Sequence, residues 1–209
     1  IKAEGGKTVN TDEAFESINA MLLDSGFQGF SLRKKPGTDN RYEVVRDGGM
    51  PVKKLSEGER NFIAFLYFYH LVRGNGKADT AIIRTDGNIQ NVTDTRDKIV
   101  VIDDPVSSMD SSTMFIVSSM VREMISVCHN NIELLNPDIT GSYIKQIFIL
   151  THNAYFHREI TYNQVDFYDC VSFFMIRKND NHSSITLCAD KAKELSQDDK
   201  NVNPVQNAY

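Results

Sequence analysis

Two carboxylates stand side by side at Asp103 and Asp104, where the apolar run of KIVVIDDPVSSMD (residues 98–110) gives way to Pro105. A hydrophobic strand ending in two acids delivers them to the C-terminal edge of a parallel sheet, the side on which open α/β folds bind ligands. Hard oxygen donors at that edge suit a hydrated Mg²⁺ on Asp103, with Asp104 set to orient or deprotonate an attacking water. The plainer alternative is a strand, an acidic turn and a helix entered at Asp110. A second strand run, IFILTHN (147–153), brings His152 to the same edge, where an imidazole can reach a phosphate oxygen; a lone histidine there also serves purely structural ends. The third candidate is LSEGE (55–59), directly before a long apolar helix. Ser56 suits an N-cap, Gly58 lets a phosphate approach the backbone, and the first-turn amides lie at the positive end of the helix dipole. Ser56 and Glu59, three residues apart, equally form a capping box that serves the helix alone.

These groups need elements to hold them. Phe15, Ile18, Leu22 and Leu23 recur at helical spacing in residues 11–25, after a Thr11/Asp12 cap signal. FQGFSLRKK and NRYEVVRDGG predict two short strands around Pro36–Gly37. NFIAFLYFYHLV, after the glutamate of LSEGE, is too long for a strand and too short to span a bilayer, so it predicts a largely buried helix. Residues 74–97, rich in Gly, Asn, Asp and Thr, read as a polar excursion between core elements. KIVVID predicts a central parallel strand buried on both faces. An amphipathic helix over 110–128, a loop around NPDITGS and the strand IKQIFIL follow. Residues 171–177 and 183–189 predict a hairpin around KNDN, and the tail from Glu194 is polar. Strands alternating with helices imply an α/β fold.

Composition bounds what this can be. Of 209 residues, 41% are hydrophobic and 24% charged, ordinary for a globular domain. A net charge of −5 gives no basic footprint for nucleic acid, so this chain is not expected to supply the main nucleic-acid surface. No apolar run reaches the roughly 20 residues that span a membrane, and no membrane partner is expected. The opening IKAEGGKTVN has neither an initiator Met nor the features of a signal peptide, as expected of an internal piece of a longer polypeptide. Cys128, Cys170 and Cys188 are odd in number and far apart, which fits a reduced, cytoplasmic protein. His70 lies within the apolar helix and is expected to be structural, while His129, His157 and His182 fall in surface-like segments without metal-ligand spacing.

Taken together, the order and spacing of the three motifs resemble the ABC-type ATPase heads of the SMC and RecF kind, over about residues 50–160. The combination LSEGERNFIAFLYF, IDDPVSSMD, FILTHNAYFHREI and NPVQNAY is similar to the ATPase domain of the PrrC/RloC anticodon-nuclease family. A stretch near 18–32 resembles the segment that re-enters such heads after a helical insertion. The resemblance implies an α/β fold, the C-terminal lobe of a P-loop (ABC-type) ATPase head with a largely parallel sheet core flanked by helices. Its divisions would be a lead-in helix and strands (1–50), a signature, Walker B, D-loop and switch-histidine core (51–160), and a terminal hairpin and tail (161–209).

The resemblance also implies roles. Ser56, Gly58 and Glu59 would contact a nucleotide held by a second head, and Asp103 would hold Mg²⁺ through water. Asp104 and His152 would act on water and the γ-phosphate of ATP or another NTP, and the D-loop residues Ser108 and Asp110 would couple the two sites. Partners would be the P-loop lobe of the same protein, a second head by homodimerisation, and tRNA or DNA bound outside this chain. A phage-defence anticodon nuclease is the reading favoured; a DNA-repair head and a non-hydrolysing dimerisation module are the alternatives. No GxxxxGK[ST] occurs, and EGGKT at 4–8 lacks both the glycine spacing and a preceding strand, so this chain alone is expected not to hydrolyse nucleotide. The usual Walker B glutamate is Asp104 here, one methylene shorter.

Overall fold

A computed structural model describes residues 11–37, 42–46, 48–73, 80–85, 88–93, 98–134, 144–164, 167, 170–188 and 203–205. It opens with α1 (Thr11–Asp24), then β1 (Ser31–Lys34), β2 (Tyr42–Arg46) and the very short β3 (Met50–Pro51), which pair in order as an antiparallel sheet. Asn19 ties helix to sheet. Its amide donates to Leu32 O at 2.7 Å and accepts from Leu32 N at 2.8 Å, standing in for a strand partner at the edge of β1. The apolar helix is α2 (Glu57–Arg73). Its Phe62 meets Phe27 and Phe30 edge-on, with centroids 5.2 and 6.1 Å away. The far end of α2 is held by Lys98, whose Nζ donates to Val72 O at 2.7 Å; burial lowers its pKa.

The polar excursion expected over residues 74–97 includes two strands. They are β4 (Thr80–Thr85) and β5 (Asn88–Thr93), paired antiparallel. The dipeptide Asp86-Gly87 between them is a strong hairpin signal in the sequence. The expected loop around 136–142 lies outside the described residues.

β6 (Lys98–Asp103) and β7 (Ile144–Leu150) form a parallel pair, joined through the 24-residue α3 (Ser111–Leu134), longer than expected. α4 (Ala154–Thr161) follows β7 at once. The last elements are β8 (Phe174–Asn179) and β9 (His182–Leu187), antiparallel around Asp180 and Asn181, both at positive φ as a tight hairpin turn requires. In the tail, Asn203 is buried and its Nδ2 donates to Thr161 Oγ1 at 2.9 Å.

The core joins Ile18 and Leu22 of α1, Phe62, Leu66 and Tyr69 of α2, Val100 and Ile102 of β6, Val117, Val121 and Met124 of α3, and Phe156 of α4. Two expectations are corrected. The sheet core is not largely parallel among the described residues: β6 and β7 are the parallel pair, and the other pairs are antiparallel. Short connections join those other strands, and a parallel pair needs a crossover such as α3. Nor is β6 buried on both faces. Val100 and Ile102 face the core, while Ile99 (66% exposed), Val101 (56%) and Asp103 face outward, beside Gln146, Phe148 and Leu150 of β7. No helix among the described residues is long and apolar enough to cross a membrane.

Candidate functional site

The strand pair delivers both acids to one edge, as expected. Asp103 ends β6 and is exposed. Asp104 leaves the strand with φ 46°, in the left-handed region, while its N–H donates to Leu150 O at 2.8 Å. A non-glycine residue held there is strained, and such strain collects at functional turns. The turn beyond it is anchored by buried Val106 and closed by Met109 N–H donating to Val106 O at 3.2 Å; Ser108 is again left-handed, at φ 63°.

Within that turn the Asp104 carboxylate is gripped on one oxygen. Oδ2 accepts from the Ser107 hydroxyl, and His152 Nδ1 lies 3.0 Å from the same oxygen. Oδ1 is buried and has no hydrogen-bond partner among the described residues. The His152 side chain is 81% exposed, so pairing through Nδ1 leaves an accessible ring with Nε2 as its second nitrogen. It stands just after β7, where Thr151 Oγ1 accepts from Asn153 N at 3.0 Å and Asn153 caps α4 by accepting from Phe156 N at 3.0 Å. The structure thus brings together Asp104 and His152, two of the candidate residues of the sequence.

At the start of α2 the capping box is complete. Glu59 N–H donates to Ser56 Oγ at 3.2 Å, and Ser56 N–H donates to Glu59 Oε2 at 2.8 Å. The Ser56 N–H is the foremost influence holding the Glu59 carboxyl below its ordinary pKa, with Arg46 adding to it through a 2.6 Å ion pair to Oε1.

Gly58 has a reason to be glycine beyond admitting phosphate. A methyl group built there would overlap the Ser108 carbonyl oxygen, so α2 sits directly on the acid turn. Asn61, one turn further on, donates from Nδ2 to Ser107 O at 3.2 Å. Asp110 caps α3, with Oδ1 accepting from Thr113 N at 2.8 Å and Oδ2 facing Thr113 Oγ1 at 3.2 Å. Among the described residues no hydrogen bond or ion pair joins Ser56 or Glu59 to Asp104 or His152. Among the described residues, the start of α2 meets the acid turn at Ser107, Ser108 and Met109.

Three residues here were not singled out from sequence: Arg46, Asn61 and Ser107. Each carries an ordinary polar side chain whose partner only the fold supplies: Glu59 for Arg46, the Ser107 carbonyl for Asn61, and Asp104 within the turn for Ser107. Two histidines expected at the surface are not there. His129 is buried and stacks on Phe167 with centroids 4.0 Å apart, and His157 is half-buried against Phe173. Cys128, Cys170 and Cys188 are free thiols.

Residues 2–199 match the family described as AAA domain (AAA_13), nearly the whole chain. The chain belongs to that family. This AAA domain is also 29% identical over 150 residues to the uncharacterized chromosomal cassette SCCmec type IVc protein CR006 of Staphylococcus aureus strain MRSA252, and equally to its counterpart recorded for Staphylococcus aureus. The match takes in 71% of this chain and spans 16% of the length of those relatives. Among solved structures, a chain from work on ATP-driven dimerization and DNA-stimulated activation of SMC ATPases aligns at 12% identity and a TM-score of 0.43. That alignment covers 90% of this chain and 86% of the other.

Proposed function

We propose that this AAA domain is one lobe of a composite ATPase head, supplying the hydrolytic acids to one nucleotide and the signature turn to another. The observation that carries the reading is the Asp104–His152 pair at the C-terminal edge of a parallel strand pair, gripped by Ser107 within a left-handed turn. An ATPase of this class works with ATP and Mg²⁺, and the donor set fits such an ion. Asp103 offers an exposed carboxylate and Asp104 a buried Oδ1 with no partner, both hard oxygens. Among the described residues no three His, Cys, Asp or Glu cluster as a metal cage. Mg²⁺ in such sites is commonly held by one or two carboxylates and completed by phosphates. When bound, Mg²⁺ would neutralise charge developing on the phosphates.

The chain's own residues then divide the work. Asp103 would hold the ion. Asp104 orients the attacking water and takes its proton, and His152, aligned through Nδ1, presents its other nitrogen to the γ-phosphate. Ser56 and the first amides of α2 would meet the phosphates of a nucleotide held by a second head, with Glu59 and Arg46 fixing the cap. Asp110, while capping α3, would sit at the junction of two heads. Catalysis of this kind is positioning plus charge stabilisation.

The missing P-loop would come from another segment of the same protein. Supporting this, the outward face of β6 and β7 carries Ile99, Val101, Phe148 and Leu150 uncovered, with Asp103 at its end, whereas parallel sheets are ordinarily covered on both faces. The motif combination quoted above further favours a PrrC/RloC-like anticodon nuclease, with tRNA cleaved by a domain outside these residues.

The direct test is Asp104→Asn in the full-length protein. Turnover should fall by about a hundredfold or more while nucleotide binding persists, since general-base contributions are of about that size. Unchanged turnover would refute the role. Nucleic-acid cleavage assays decide the finer reading: cleavage of tRNA supports it, and turnover coupled to DNA with tRNA left intact overturns it.

A further inference from the structure

The signature turn and the catalytic acid belong to different nucleotide sites in the arrangement proposed above, yet in this chain two side chains connect them. Asn61, in the second turn of α2, donates to the Ser107 carbonyl at 3.2 Å, and the Ser107 hydroxyl donates to Asp104 Oδ2, the oxygen that also faces His152 at 3.0 Å. Beside this path Gly58 lies against the Ser108 carbonyl with no room for a methyl group. A movement of α2 along or across its axis therefore cannot leave residues 107–108 where they are.

The turn is also one that needs holding. Both of its ends, Asp104 at φ 46° and Ser108 at φ 63°, are left-handed and non-glycine. Such conformations cost about 1 kcal/mol or more each and persist only where the surroundings over-determine them. Asn61 and Gly58 are the surroundings on the α2 side. Among the described residues, the Asp104 carboxylate, with Oδ1 buried and unpartnered, is oriented by Ser107 and His152 on its other oxygen.

We propose that Asn61 and Ser107 are positioning residues: they transmit the seating of the signature helix to the Asp104 carboxylate, so that one nucleotide site sets the geometry of the other. Neither residue touches the reacting atoms. Asn61 fixes the Ser107 backbone, and the Ser107 hydroxyl fixes the acid. This rests on the assignment of Asp104 as the hydrolytic acid, and the test keeps the two apart.

In the full-length protein, Asn61→Ala and Ser107→Ala should each lower kcat by about tenfold while the KM for ATP stays within about twofold; a misplaced catalytic group costs up to about a hundredfold. Ser107→Thr, which keeps the hydroxyl, should recover most of the Ser107→Ala loss. The double variant should lose little more than either single one, because both act through one path. In an Asp104→Asn background, Asn61→Ala should have no further effect. Fully multiplicative losses, no recovery by Ser107→Thr, or wild-type kcat in both single variants while Asp104→Asn is inactive would each overturn the relay. A fully active Asp104→Asn protein would instead overturn the assignment beneath it. Ser107→Ala removes one hydroxyl from a surface turn, so the test stands even if Asn61→Ala fails to fold.

Discussion

His157 sits in α4 with its Nδ1 buried and unpartnered and its ring centroid 5.8 Å from that of Phe173. Burial there disfavours the imidazolium and lowers its pKa from the ordinary value. The unfolded chain therefore takes up the proton first. The contribution of the neutral ring is present above about pH 6.5 and is lost as pH falls through the folded-state pKa. Thermal unfolding followed from about pH 7.5 to 5 should show the midpoint of the wild-type chain falling relative to His157→Gln; parallel profiles would show that His157 does not titrate differently on folding. This histidine was misjudged from sequence for a reason that applies equally to His129. Both stand among polar neighbours, HREI and CHNN, and burial of a single position depends on which face of the helix meets the rest of the molecule. Asp103, Asp104 and His152 were legible because each follows an apolar strand run, so their place at the sheet edge follows from the strand itself. Ser107 and Asn61 had no such marker: their partners are distant in the chain or lie within a turn whose geometry one sequence does not state.

The expected ranges of α1, α2, β6 and β7 lie close to the observed ones, while α3 outruns its expected end at residue 128; the departures elsewhere have a common cause. α1, α2, β6, β7 and the β8–β9 hairpin carry strong hydrophobic periodicity or paired turn residues. β4 and β5 are rich in Thr, Asn and Gln, and they pair across a two-residue link in the sequence. The continuously apolar KIVVID predicts a strand buried on both sides, but a run of that kind does not say whether its second cover belongs to the same segment. What no periodicity foretold is how closely α2 meets the acid turn. Gly58→Ala tests that seat. Its new methyl group meets backbone rather than a flexible side-chain end, so α2 or the turn must shift, at a cost of about 1–3 kcal/mol as for other overpacked contacts. Elsewhere in an exposed helix the same substitution would stabilise, by up to about 1 kcal/mol. A lowered unfolding midpoint with reduced turnover is the expected outcome. A raised midpoint would mean that Gly58 and Ser108 do not touch in solution.

The molecule as a whole is unevenly finished. One side of the β6–β7 pair is packed against α3 and the shared core; the other offers Ile99, Val101, Phe148 and Leu150 to solvent beside the acid at Asp103. If a second lobe covers that face, a charge placed on it should have opposite meanings in two settings. In the 209-residue chain alone, Val101 is 56% exposed, and Val101→Lys should change stability by no more than about 0.5 kcal/mol, as surface substitutions do. In the full-length protein the same lysine would enter a closed interface without a partner. Burying an unpaired charge costs several kcal/mol, so the head should open and ATP turnover should collapse. Measuring both in parallel separates a local defect from a lost interface. Small and equal effects on stability with turnover intact would show that this face stays open in the working protein, and the P-loop would then have to reach Asp103 from another direction.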